Sequence, residues 1–183
     1  MKVSLHPLIL LNITDHSTRS KVNAGAKHPL RVFGALLLKS NVKNPELSNS
    51  FELTDGKKQS IDFPFLTERL KAYQEVFPEV EFAGLYIAEP NIDTFRVTKQ
   101  DADLLAQLKD FSSGNAQFLL KVDSSHARLT QLGTHDPLPL GIFEIVKTHK
   151  GEVQFERQGH AFVSDEGERV GVSDAASLVP DAP

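Results

Sequence analysis

Side chains able to do chemistry are scattered along this 183-residue chain, not gathered into one motif. Seven histidines are present: His6, His16, His28, His126, His135, His149 and His160. No two stand four residues apart, as a helical zinc motif requires. His126 and His135-Asp136 share one long polar segment, Asp123 to Pro139; a segment of that length inside a compact domain is usually functional or mobile. Ser124-Ser125-His126 sets a hydroxyl near an imidazole, but no G-x-S-x-G turn occurs to expose a serine nucleophile. A glycine-rich phosphate loop is also missing. Cysteine is absent, which removes thiol nucleophiles, thiolate metal sites and a disulfide framework, and fits an intracellular address. What remains is a carboxylate, Glu89, at the end of the apolar stretch Phe82-Ala83-Gly84-Leu85-Tyr86-Ile87-Ala88-Glu89-Pro90, and a second, Asp101, soon after it. Two carboxylates fall short of the three protein ligands of a hydrolytic zinc site.

These residues need elements to hold them. Glu81 to Ile87 reads as a buried strand that opens into a loop at Pro90, and Arg31 to Lys39 as a second one, covered on both faces. Gly34 and Gly84 lie inside these apolar runs, where glycine marks a bulge or a close backbone approach. Thr98-Lys99-Gln100-Asp101 has the form of a capping box, followed by a helical stripe of Leu104, Leu105, Leu108 and Phe111. An earlier helix starts at His6-Pro7 and runs to about Lys21, with apolar residues on more than one face. Another spans Pro64 to Phe77, with Leu66, Leu70, Tyr73 and Phe77 in one stripe. Further strands are expected over Lys2–Leu5, Glu46–Leu53, Ser60–Phe63, Gln117–Val122, Leu140–Lys147 and Glu152–Arg157, with a short one at Phe162–Val163. In the Glu46–Leu53 strand, Leu47, Asn49, Phe51 and Leu53 are expected on one side. Strands interspersed with three helices make a mixed α/β domain.

The bulk properties agree. A chain of this length has room for one domain with a sizeable core. A formal net charge of −4 gives no electrostatic reason to expect nucleic acid or an anionic membrane as partner. The apolar runs are too short to span a bilayer, and Leu8 to Leu11 is too short for a signal-peptide core.

The segments VSLHPLILLNITDH (Val3–His16), VFGALLL (Val32–Leu38), NSFEL (Asn49–Leu53), FAGLY (Phe82–Tyr86) and GERVGV (Gly167–Val172) fall in the order and spacing of an MPN (JAMM-like) domain. The likeness covers Val3 to Val172, so residues 1–173 read as the domain and residues 174–183 as the start of a linker, with the helical region that follows in the family beyond it. It resembles most the inactive MPN subunits of the COP-9 signalosome. The proteasome lid and the translation initiation factor three complex hold inactive MPN subunits too, and membership of either is the alternative. The resemblance implies a central, mostly antiparallel sheet flanked by about three helices.

The resemblance also implies where a zinc site would stand. Active members carry a glutamate ahead of V-x-G, then two histidines in G-W-Y-H-S-H-P, then S-x-x-D. Arg31 takes the place of the glutamate, and Ile87 and Glu89 take the places of the histidines. Counted without a gap, the last pair is Val97 and Gln100; with one inserted residue it is Thr98 and Asp101. Ile87 has no lone pair, and Arg31 cannot take a proton from water at neutral pH. The expectation is a chain without cofactor, metal or activity of its own. The alternative is a zinc isopeptidase with relocated ligands: Glu89, Asp101 and a loop histidine. By resemblance the chain pairs with the catalytic MPN subunit of its complex, contacts other signalosome subunits, and supports removal of a ubiquitin-like protein from cullin–RING ligases in cytoplasm and nucleus. Leu8, Leu11 and Asp15 on the first helix, or Leu104 and Leu108 on the third, are the expected pairing surface.

Overall fold

The computed structural model describes residues 2–40, 43–54, 56–111, 117–125 and 139–163. Seven strands close into a barrel: β1 Lys2–Leu5, β2 Val32–Lys39, β3 Glu46–Glu52, β4 Val80–Glu89, β5 Phe118–Asp123, β6 Leu140–Lys147 and β7 Val153–Phe162. The spatial order is β1-β3-β2-β4-β5-β6-β7, and β1 closes the ring by pairing in parallel with both β3 and β7. The β4–β5 pair is parallel as well, and the other four pairings are antiparallel. Among the described residues, three α-helices accompany the sheet: α1 Pro7–Asn23, α2 Phe63–Val76 and α3 Lys99–Ala106, the last continued by a 3-10 turn over Gln107–Asp110. Among the described residues, no helix is long and apolar enough to cross a membrane.

Two cores lie on opposite faces of the sheet. Ile9 and Ile13 of α1 pack with Val32, Leu36, Tyr86 and Leu120 on one face. Leu66 and Leu70 of α2 and Leu104 and Leu108 of the α3 segment pack with Phe33, Leu85, Ile87 and Leu119 on the other. That division explains why β2 reads as an unbroken apolar run: all of Val32 to Leu38 is buried. The first helix begins as its sequence dictates. Pro7 stands in the first turn, and the His6 side chain caps it by accepting from the Leu8 amide at 3.2 Å.

Four expectations need correction. Ser60–Phe63 is not a strand: the Gln107 side chain takes the Ile61 amide at 2.9 Å, and Asp62 caps α2 by accepting from Phe65 N at 3.0 Å. The even alternation of β3 breaks at a bulge. Leu38 faces Leu47 but Leu37 faces Asn49, so Ser48 is an extra residue and the strand changes phase. Leu47 therefore joins the α1 core, whereas Phe51 and Leu53 join the other. Phe162 forms no separate strand, because β7 runs on to it where β1 supplies a second partner. β4 likewise continues past Ile87 to Glu89, since β5 pairs with it as far as Glu89↔Asp123.

A bulge in β4 sets the phase of the site. Leu36 faces Gly84 and Leu37 faces Phe82, leaving Ala83 as the extra residue. Beyond it, Tyr86 and Ala88 point into the α1 core, and Ile87 packs in the α2–α3 core. Strand alternation places Glu89 on the Ile87 side.

Candidate functional site

Three neighbouring strands bring charge to one end of the α2–α3 face. Phe33 faces Ile87, and Ile87 faces Lys121. Carrying the β2–β4 register one residue on sets Arg31 across from Glu89. The fourth member comes from α3, whose start is fixed by a complete capping box. Asp101 N donates to Thr98 Oγ1 at 3.3 Å, and Thr98 N donates to Asp101 Oδ2 at 2.8 Å.

Four side chains then meet. Arg31 Nη2 donates to Asp101 Oδ1 at 2.7 Å. Lys121 Nζ donates to Asp101 Oδ2 at 2.7 Å and to the Arg96 carbonyl at 3.2 Å, and lies 2.9 Å from Glu89 Oε1. The loosest contact is Arg31 Nε to Glu89 Oε2, at 3.5 Å. Exposure falls toward the centre of the cluster: the side chains of Glu89, Arg31, Lys121 and Asp101 are 23, 13, 2 and 0 % accessible. Two cations and two carboxylates give a formally neutral cluster. Lys121 Nζ thus has three oxygens within 3.2 Å. Burial alone would raise the pKa of Asp101; the Lys121 hydrogen bond and the Thr98 amide outweigh it and hold the carboxyl below its ordinary value.

The residues do not fit a zinc ion. Ile87 is buried in the apolar core and has nothing to donate. Asp101 and Glu89 are both engaged by the chain's own cations, and a third ligand is missing: among the described residues, no three His, Cys, Asp or Glu side chains converge to hold a metal. Arg31 sets a guanidinium beside these carboxylates, and a guanidinium cannot act as a general base. Of the two possible alignments of the last motif pair, the structure brings Asp101 to the cluster; Gln100 is exposed. Thr98 is a helix cap.

A second buried polar group sits on the opposite face of β4. His16 Nδ1 accepts from Tyr86 Oη at 2.7 Å, and its Nε2–H donates to the Thr54 carbonyl. Burial lowers the His16 pKa and raises that of Tyr86, so the pair is held as a neutral imidazole and a phenol. With both ring nitrogens engaged, His16 braces α1 against the sheet. A third anchor is Asp123. Its carboxylate accepts from the amides of Asn91, Ile92 and Ser125 at 3.2, 3.1 and 2.9 Å and so fixes the turn after Glu89.

Sequence reasoning located Arg31, Ile87, Glu89 and Asp101 but missed Lys121. The signal was there: Lys121 is the one charge within the apolar run Phe118-Leu119-Leu120-Lys121-Val122. A charge buried in a strand needs a partner. His126, His135 and Asp136, and with them most of the polar segment, lie outside the described residues, as do residues 164–183 and the GERVGV segment.

The expected pairing surface divides. Leu104 and Leu108 are 3 and 5 % exposed, buried under α3, so they are not available to a partner. Their stripe is the core-facing side of α3 and of the 3-10 turn, Gln107–Asp110, that continues it. Leu8 and Leu11 are 39 and 65 % exposed, and Val22 near the end of α1 is 70 % exposed. The Asp15 side chain is 64 % exposed and holds Arg19 Nε at 2.8 Å. The many-sided apolarity of α1 thus resolves into a face against the barrel and a face toward solvent.

Comparison with known proteins agrees with this architecture. A family model described as JAB1/Mov34/MPN/PAD-1 ubiquitin protease matches residues 1–113. Among similar proteins, COP9 signalosome complex subunit 6 of Dictyostelium discoideum is 30 % identical over 98 % of this chain and 55 % of its own. The proteins of the same name from Drosophila melanogaster and Caenorhabditis elegans are 29 and 33 % identical, over 96 and 97 % of this chain and 49 and 42 % of theirs. The chain therefore spans about half the length of these relatives.

Proposed function

We propose a non-catalytic, partner-holding role for this chain, which belongs to the JAB1/Mov34/MPN/PAD-1 family. It serves as an inactive MPN subunit of a COP9 signalosome, pairs with the catalytic MPN subunit and supports cullin deneddylation from the cytoplasm and nucleus. The observation that carries the non-catalytic part is Ile87, buried in the apolar core with no lone pair to offer, beside the Arg31 guanidinium held on Asp101. A hydrolytic zinc needs open coordination and a base, and this site offers neither. The names and coverage of the similar proteins support the choice of complex. The solvent face of α1 supports the pairing, because exposed large apolar residues one turn apart, here Leu8 and Leu11, are what an interface covers.

Co-purification of the full-length protein with the catalytic MPN subunit tests the pairing. Replacing Leu8 and Leu11 together by glutamate is expected to weaken it by about a hundredfold or more, the effect of losing central apolar anchors. The variant keeps its fold, since neither side chain is buried. Pairing of unchanged strength would exclude α1 as the contact, and recovery with proteasome-lid subunits instead would overturn the choice of complex.

A further inference from the structure

We propose that the Lys121 ammonium is a built-in cation that does the structural work of a metal ion. Its Nζ sits in a cage of three oxygens drawn from three separate parts of the chain. Glu89 Oε1 comes from the end of β4, the Arg96 carbonyl from the segment before α3, and Asp101 Oδ2 from the first turn of α3. Lys121 itself rises from β5 and lies beside Ile87 in the strand register. One charged atom therefore ties α3 and its lead-in segment to the two strands that flank the site. A coordinated cation would make the same tie. Arg31 adds the second positive charge from β2, through Asp101 Oδ1 at 2.7 Å.

This goes beyond the absence of catalysis. Ile87 and Arg31 alone would disable a hydrolytic site, and would leave Asp101 and Glu89 as buried or half-buried carboxylates facing each other with less compensation. The Lys121 side chain runs up from the apolar face of β5 and delivers its charge where those carboxylates need one. The cage sets three oxygens within 3.2 Å of the ammonium, two of them in hydrogen bonds and the third, Glu89 Oε1, in an ion pair. Its occupant is accordingly a primary ammonium on an apolar stem. Truncating the lysine at Cβ leaves a channel of that shape, which n-propylammonium has the right length to fill.

The experiment is thermal melting of the chain carrying Lys121→Ala, with and without n-propylammonium chloride, and with sodium chloride at equal ionic strength. Loss of the charge is expected to lower Tm by on the order of 10 °C. Added n-propylammonium restores most of that loss in a saturable manner, and sodium chloride does not. Lys121→Met fills the channel without charge, so it also melts low and gains nothing from the amine. A Lys121→Met protein that melts with the wild type would overturn the proposal, as would a Lys121→Ala protein that responds alike to both salts. Should Lys121→Ala not fold, Glu89→Gln decides by hydrogen exchange. Opening one side of the cage is expected to speed exchange of the Lys99–Ala106 amides tenfold or more, with α2 unchanged, and no change there overturns the proposal. Failure on either count leaves the non-catalytic reading standing, because that rests on Arg31 and Ile87.

Discussion

Asp101→Ala destabilises the chain by about 3–5 kcal/mol, because it strips the shared counter-ion from two buried or nearly buried cations. The same substitution removes the Asp101 half of the capping box at Thr98, adding roughly 1 kcal/mol. Asp101→Asn separates the two effects. Its side-chain oxygen still accepts from the Thr98 amide, while its charge and the acceptor for Arg31 Nη2 are gone, so it spares the cap and loses the contacts to the cations. Acid dependence gives an independent reading. The folded Asp101 pKa lies below its unfolded value, so the unfolded chain binds the proton more readily. The carboxylate's contribution is fully present above about pH 3.9 and is lost as pH falls through the depressed folded value. Urea denaturation at pH 7 is expected to show a wide gap between wild type and Asp101→Asn, and the gap should narrow as pH falls below about 4. A gap that stays constant through that range would mean that Asp101 does not act through its charge.

Gly84→Ala is expected to cost about 4 kcal/mol or more, combining strain with a steric clash. Gly84 has φ +144°, where side chains are rarely found, and an added Cβ would lie 1.9 Å from the Phe118 carbonyl oxygen. That oxygen belongs to the neighbouring strand, whose Phe118 pairs with Gly84, so it cannot step aside without breaking the β4–β5 pairing. The damage reaches the site, because the bulge beside Gly84 decides that Ile87 and Glu89 face α3. Gly159→Ala is the matched control. It also lies in a strand, nothing comes within 4 Å of its added Cβ, and its φ is not in the positive range. Its effect is expected within about 0.5 kcal/mol. Equal urea midpoints for the two variants would refute the close approach at Gly84.

Much of this architecture is written in local sequence. The buried strands around Phe33 and Leu85 declare themselves as unbroken apolar runs, and the starts of α1 and α3 declare themselves through Pro7 and the Thr98–Asp101 pair. Those signals involve neighbours in the chain, so a reader of the sequence meets cause and effect together. Closure of the barrel is different. It depends on β1 reaching both β3 and β7, and four residues of alternating strand say nothing about two partners. The β3 bulge escaped notice for the same reason, since Ser48 is extra only relative to β2. At the site, Arg31, Ile87, Glu89 and Asp101 were legible in the sequence as candidates. Lys121 was not, because its partners Glu89 and Asp101 are brought to it by a parallel strand pair and by a helix start. The stripe Leu104–Leu108 was legible as a helical face, yet periodicity alone does not say whether such a face meets the core or a partner.

The central claim is that the chain's own cations occupy the carboxylates of this site and leave no place for a catalytic metal. Elemental analysis of the purified chain, paired with an assay for cleavage of an isopeptide-linked ubiquitin-like protein, tests it most directly. The account predicts zinc at background level, no cleavage, and no change in melting temperature on adding a chelator. About one zinc per chain, removed by chelator together with isopeptidase activity, would contradict it.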